Sequence, residues 1–148
     1  MRCTIQPMSI RDYDEVLHLW RNSEGVGLNE SDTRRAVSSF LKRNPGMSFV
    51  ARDGTDLIGA ILCGHDGRRG YLHHLAVSPA YRRKGLGTQL VAKCLAKLKQ
   101  LRIVKCNIFL YNENVDGEQF WQRNGWERRP DVCLVQKNLI SSRHKRCC

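Results

Sequence analysis

The chain reads as an α+β protein on a mixed, mostly antiparallel sheet, and three features of the sequence predict this. Apolar runs of strand length joined by Gly-containing turns predict hairpins in mid-chain. Apolar residues at three- and four-residue spacing predict helices on both sides of those runs. One strand-helix-strand unit demands a parallel pair beside the hairpins, which makes the sheet mixed. At 148 residues the chain has room for one core of ordinary size.

The elements follow in order. A short strand over Arg2 to Gln6 precedes a helix from Asp12 to Trp20, where Tyr13, Val16, Leu17 and Trp20 share a face and the acids of the first turn suit the helix dipole. A polar, Gly-containing loop, Asn22 to Asp32, leads to a second helix beginning at Ser31-Asp32, with Ala36, Val37, Phe40 and Leu41 apolar, that stops before Asn44-Pro45-Gly46. Ser48 to Arg52 and Leu57 to Cys63 are strands joined at Asp53-Gly54-Thr55, where Gly supplies a positive φ. The turn Asp66 to Gly70 leads to a third strand, Tyr71 to Val77. From Gly85 to Lys99, Leu86, Leu90, Val91, Cys94, Leu95 and Leu98 form the most regular helical stripe in the chain. Ile103 to Tyr111 is predicted as a buried strand, Val115 to Asn124 as a short helix stopped by Asn124-Gly125, and Trp126 to Leu139 as two strands broken near Arg129-Pro130-Asp131.

Composition excludes several classes. Hydrophobic residues are 41% and charged residues 26%, a soluble globular balance. No run approaches the roughly 20 apolar residues of a membrane span, and the start has no secretory pattern, so a cytoplasmic protein is expected. The seven cysteines are an odd set without C-x-x-C, expected to be reduced thiols, with no metal site. The net charge is +11, and Leu57 to Tyr111 holds most of it, with a balance of +9 and Asp66 as its single acid. Such a field attracts a phosphorylated cofactor, an acidic substrate or nucleic acid without choosing among them. Lys93, Lys97 and Lys99 are read more simply as the solvated face of their helix.

The strongest chemical feature is the strand Tyr71 to Val77 running through a basic turn into a helix start. Arg82-Arg83-Lys84-Gly85-Leu86-Gly87-Thr88 presents backbone N–H groups at the positive end of a helix among three fixed charges, a pyrophosphate cradle. It is neither a P-loop nor a dinucleotide fingerprint, since the third glycine is Leu90. Arg82, Gly85 and Gly87 match (Q/R)-x-x-G-x-(G/A), and Asn114, Gly117, Phe120, Gly125 and Trp126 match N-x-x-(A/G)-x-x-F-(Y)-x-x-x-G-(F/W), with Trp121 where Tyr is usual. With these two motifs the chain resembles the GNAT family of N-acetyltransferases, in its bacterial single-domain branch, across essentially its whole length.

The resemblance implies a three-layer fold with about four helices flanking the sheet, residues 1–140 as one acetyltransferase domain and 141–148 as a flexible basic tail. It implies acetyl-CoA as co-substrate and an amine acceptor, a small metabolite or a peptide amine, attacking directly in a ternary complex without a cysteine nucleophile. Leu75, Ala76 and Val77 would pair with the pantetheine arm and stabilise the oxyanion. Arg82, Arg83, Lys84, Gly85, Leu86, Gly87 and Thr88 would hold the pyrophosphate, with Arg83 and Lys84 either meeting the 3′-phosphate or staying in solvent. Asn114 and Phe120 would contact the arm and the adenine side. His73 is the first candidate base, and His74, expected on the opposite face by strand alternation, the second. Trp121 cannot release a proton at ordinary pH, so Tyr111 or water is the candidate acid. His65 and Asp66 are read as turn chemistry. Glu24, Glu30 and Asp32 place acids on the acceptor side, where they suit a cationic amine, although the same residues serve as ordinary caps.

Two other readings compete. Trp121 in place of Tyr suggests a CoA-binding module without turnover, and the basic segment with Arg143 to Arg146 suggests nucleic-acid recognition, such as transfer to a charged tRNA. Nucleic acid is the less favoured partner because stacking aromatics are few. No membrane partner is expected, and the protein is expected as a monomer or homodimer.

Overall fold

The computed structural model describes residues 2–140 and has an α+β architecture in which a five-stranded sheet separates two helical layers. Strand β1 (Cys3–Pro7) leads through a 3₁₀ turn at Ile10–Asp12 into α1 (Tyr13–Arg21). A loop and a second 3₁₀ turn, Glu30–Asp32, precede α2 (Arg34–Arg43). The meander β2 (Phe49–Asp53), β3 (Asp56–His65) and β4 (Arg69–Val77) follows, then α3 (Leu86–Gln100), β5 (Lys105–Ile108) and α4 (Val115–Arg123). The sheet order is β1-β2-β3-β4-β5, antiparallel except for the β4–β5 pair that the α3 crossover makes parallel.

Both faces of the central strands are covered. Val50, Ala60, Leu62 and Ala76 point toward α1 and α2, where they meet Val16, Leu19, Trp20 and Val37. Phe49, Ala51, Ile61, Cys63 and Leu72 point the other way, onto Leu86, Leu90, Val91, Cys94 and Leu98 of α3. The period-2 alternation of the strands and the 3,4 spacing of the helices meet in these two cores. Lys93 and Lys99 lie exposed on the outer face of α3, as expected, whereas Lys97 is half-buried. The β2–β3 turn is closed at Asp53 and Asp56 with Gly54 at φ 59.

The sequence reading needs correction in three places. Helix α2 starts at Arg34, because the Thr33 side chain accepts from the Ala36 N–H, while Asn29 and Asp32 form a separate capping box around the 3₁₀ turn. β5 is four residues long and half exposed, with Val104, Phe109 and Tyr111 exposed beyond it, because it is the edge of the sheet. The two strands expected over Trp126 to Leu139 do not form: residues 127–140 are exposed and irregular, and no strand in the described residues pairs with the outer edge of β5. The basic tail at 141–148 lies outside the described residues.

Candidate functional site

The site is built where β4 loses its partner. β5 pairs with β4 only from Arg69 to Leu72, whereas β4 runs on to Val77 against β3 alone. His73 to Val77 therefore present one edge with no strand beside it among the described residues. Leu75 and Val77 turn their side chains into the α3-side core and Ala76 into the α1 side, so the strand is anchored through its faces and open at its edge.

A β-bulge shapes that edge. Ala60 faces Ala76 and Leu62 faces His73, so His74 and Leu75 together oppose Ile61. His74 takes the left-handed conformation, φ 53. The bulge interrupts alternation and overturns the expectation that the two histidines face opposite ways. His73 meets Phe40 of α2 edge-on, with ring centroids 6.2 Å apart, and His74 meets Trp20 of α1 at 5.0 Å. Both rings lie on the α1–α2 face, 6.5 Å apart.

Their environments differ. His73 forms a three-ring cluster with Tyr71 and Phe109, their centroids 6.1 to 6.3 Å apart, and has no side-chain hydrogen bond among the described residues. Burial, with the neighbouring His74, pushes its imidazole below the ordinary value, against the weaker pull of Asp32, and so favours the neutral ring. His74 Nε2 lies 2.8 Å from Asp32 Oδ1, and the Trp20 indole N–H donates to the His74 carbonyl at 2.9 Å. The Asn29 amide donates to Asp32 Oδ2 at 3.0 Å, and the Tyr13 hydroxyl donates to the Asp32 carbonyl at 2.6 Å. Burial raises the Asp32 carboxyl, but the hydrogen bonds from His74 and Asn29 outweigh it and hold the group below the usual carboxylate range. Asp32 was expected as an acceptor-side or capping acid. Its link to a strand residue 42 positions away has no signature in the sequence.

Beyond Val77, Pro79–Tyr81 forms a single 3₁₀ turn and the basic loop enters α3. Arg82 Nε donates to the Val77 carbonyl at 2.9 Å, tying the loop to the end of β4. Arg83 at φ 61 and Gly85 at φ 81 are both left-handed and follow Arg82 in an extended conformation, so the chain reverses sharply just before α3. None of the amides from Arg83 to Thr88 has an acceptor among the described residues, and the first amide of this stretch to be satisfied is Gln89, by Gly85. Arg82, Arg83, Lys84 and Gly85 are exposed, whereas the Leu86 side chain is buried in the core and leaves only its backbone to the loop. A row of free amides at the start of α3, among three cations, fits a pyrophosphate.

The second motif packs onto the first. A Cβ on Gly87 would stand 3.3 Å from the Phe120 ring and 3.9 Å from Leu75, so β4, α3 and α4 converge there. Trp121 is buried between Phe120 and Trp126, at centroid distances of 5.1 and 4.9 Å, and is a packing residue. The Asn114 carboxamide oxygen accepts from the Gly117 N–H at 2.9 Å, so this residue caps α4. Tyr111 is exposed, with its hydroxyl against Gly27 of the α1–α2 loop. Glu24, Tyr111, Glu113, Asn114 and Asp116 line an open pocket of about 380 Å³ between that loop and the β5–α4 connection. Glu30 is exposed outside it. His65 and Asp66 do serve the turn, accepting from the amides of Gly67, Arg68 and Arg69.

The thiols stand apart from this arrangement. Cys63 and Cys94 are buried against α3, where the Cys63 contact and burial push the Cys94 thiol well up, and burial pushes Cys106 up to about 12. Cys94 and Cys106 therefore remain protonated at neutral pH.

Residues 13–126 match the family model described as the acetyltransferase (GNAT) family. An acetyltransferase of Sodalis glossinidius is 27% identical over 129 residues, which cover 87% of this chain and 90% of that protein. Among solved structures, the PaiA N-acetyltransferase of Thermoplasma acidophilum in complex with coenzyme A superposes with a TM-score of 0.74 at 20% identity, covering 84% of this chain and 89% of that one. AAC(6′)-Iy in complex with the bisubstrate analog CoA-S-monomethyl-acetylneamine gives a TM-score of 0.73 at 17% identity, covering 93% and 99%. Both structural likenesses are likenesses of fold. The family model spans the open strand edge, the amide cradle and the helix that packs on it, and the chain belongs to the acetyltransferase (GNAT) family.

Proposed function

We propose that the protein moves the acetyl group of acetyl-CoA to a primary amine, on a small metabolite or a peptide, by direct attack while donor and acceptor are both bound. The family supplies the enzyme class and the acyl donor. The observation that carries the reading further is the unpaired edge of β4, His73 to Val77, leading directly into the row of acceptor-free amides from Arg83 to Thr88. An extended amide-containing arm pairs with such an edge as an added strand, and a pyrophosphate at its end reaches the cradle. Bound there, acetyl-CoA supplies an activated thioester carbon. The Leu75 to Val77 backbone provides N–H donors for the carbonyl oxygen as charge develops on it. Arg82, Arg83 and Lys84 add fixed positive charge to the amides, and Phe120 closes the cradle from the α4 side.

The acceptor enters from the other side, between the α1–α2 loop and the β5–α4 connection. Glu24, Glu113 and Asp116 around that pocket favour an ammonium group and orient it before it loses its proton. Tyr111, on the rim of the same pocket, is the phenol available to protonate the departing thiolate.

Calorimetric titration with acetyl-CoA tests the cradle. The wild-type protein should bind saturably, and Gly87→Glu should bind at least about tenfold more weakly, because its carboxylate opposes the pyrophosphate at short range. Equal binding by both would remove the cradle from the mechanism, and no binding by the wild type would end the reading. Transfer of radiolabelled acetyl to a panel of an aliphatic diamine, an aminosugar and an amino-acid ester then tests turnover.

A further inference from the structure

We propose that Asp32 and His74 form a proton-accepting pair, in which the carboxylate fixes the imidazole tautomer and Nδ1 of His74 takes the proton of the incoming ammonium. This deepens the acetyl-transfer reading and rests on it. His74 is the catalytic residue of the pair, and Asp32 is a positioning residue that acts through it.

The geometry carries the assignment. Both oxygens of Asp32 are engaged, Oδ1 by His74 Nε2 at 2.8 Å and Oδ2 by the Asn29 amide at 3.0 Å. An acceptor-only carboxylate at Nε2 requires that nitrogen to carry the proton, so the neutral ring has its lone pair on Nδ1. Nδ1 has no partner among the described residues. The pair is held on every side: the Tyr13 hydroxyl fixes the Asp32 backbone, and the Trp20 indole fixes the His74 carbonyl. The groups facing the imidazole are Asp32 from the 3₁₀ turn, Trp20 from α1 and His73 from its own strand, so Asp32 is the single anion in contact with it among the described residues.

Position agrees with the role. The bulge puts His74 in the left-handed region, which a side chain adopts only under strong local constraint, and turns its ring to the α1–α2 face immediately before the Leu75 to Val77 edge. The ring thus links the strand whose edge is proposed for the thioester to Asp32, at the end of the α1–α2 loop that borders the proposed acceptor pocket. The ammonium gives one proton to Nδ1, and its freed lone pair forms the C–N bond to the acyl carbon. The C–S bond breaks with its electrons going to sulfur; Tyr111 gives its phenolic proton to the thiolate and regains one as the second proton leaves nitrogen through water.

The experiment has a substrate-free arm and a kinetic arm. Long-range ¹⁵N–¹H correlation spectra of the full chain, assigned by loss of signals in His74→Gln, report which nitrogen of His74 is protonated at neutral pH. The Nε2–H tautomer is expected, and an Nδ1–H tautomer would overturn the proposal. With an amine turned over by the wild type, His74→Gln should lower kcat about 100-fold or more, and Asp32→Asn at least about tenfold. Acetyl-CoA affinity should stay within about twofold in both, since neither residue is in the cradle. In Asp32→Asn the His74 spectrum should no longer show the Nε2–H tautomer alone, because the carboxamide meets that nitrogen with either its oxygen or its N–H; an unchanged tautomer would reduce Asp32 to a structural cap. Failure of the wild type to bind acetyl-CoA would strike the acetyl-transfer reading itself, while the tautomer would still decide the pair.

Discussion

At the scale of single residues the two histidines of β4 differ in what surrounds them. His73 is stacked, half-buried and biased toward the neutral form. Its folded-state pKa lies below the value of 6.5 for a free side chain, so the unfolded chain binds the proton first as pH falls. The stabilising contribution is whole above about pH 6.5 and is lost progressively below it. Urea midpoints measured at pH 7.5 and 5.5 should therefore fall for the wild type, and His73→Gln should reduce that fall. An identical slope in the variant would mean that the ring is protonated as easily folded as unfolded. The sequence displayed His73 and His74 as neighbours but not which would have a partner. Alternation, the one rule available for adjacent strand residues, fails here because a bulge is a property of two strands in register, and Ile61, the residue opposite, lies on the other strand. Asp32 was legible as the N3 acid of a capping box beginning at Asn29, which is a local pattern; its bond to His74 is long-range and follows only from the packing of α1 and the 3₁₀ turn onto β4.

At the scale of elements, the helices and the meander were legible because each signal is local, an apolar period with a cap or a turn residue at its end. Most boundaries differ from the sequence reading by a residue or two, the shift at α2 arising from Thr33 taking the cap. Trp126 to Leu139 carries the apolar content of strands, with Val132, Leu134 and Val135, and forms none. A strand exists only where a neighbour supplies its hydrogen bonds, and sequence pattern encodes readiness without encoding the neighbour. The bidentate pair of Arg129 with Asp131, at 2.8 and 2.7 Å, is exposed and contributes little to fixing the segment. A different ion pair does join elements. Arg52 of β2 reaches Asp12 and Glu15 at the start of α1, at 2.9 Å each, and its contact with Asp12 is largely shielded from water. Arg52→Ala leaves Asp12 with only the Ser9 amide, and a loss of about 2 kcal/mol in urea-unfolding stability is expected. Arg34→Ala, which breaks the exposed pair with Asp14, should cost less than about 1 kcal/mol. Equal losses would show that burial does not separate the two pairs.

At the scale of the whole molecule the charge distribution has a direction. The net +11 is concentrated between Leu57 and Tyr111, which includes β4, the cradle and α3, whereas the pocket between the α1–α2 loop and the β5–α4 connection is rimmed by Glu24, Glu113 and Asp116. A polyanionic donor and a cationic acceptor would thus be drawn to different sides of one strand edge, as the proposed ternary complex requires. Exposed cations act through water and are screened within about 10 Å at 0.1 M salt, whereas backbone amides act by direct contact and are not. Arg82, Arg83 and Lys84 are exposed, and the amides of Arg83 to Thr88 are the proposed contact groups, so the two contributions are separable by ionic strength. Acetyl-CoA affinity should fall as salt rises from 50 to 500 mM, and it should fall less steeply for Lys84→Met or for a donor lacking the 3′-phosphate. A parallel fall for the wild type and Lys84→Met would assign the salt dependence to the general field of the basic segment. A slope reduced by Lys84→Met and again by loss of the 3′-phosphate, but not further by both together, would place that phosphate on Lys84 and settle which of the two positions left open by the sequence this side chain takes.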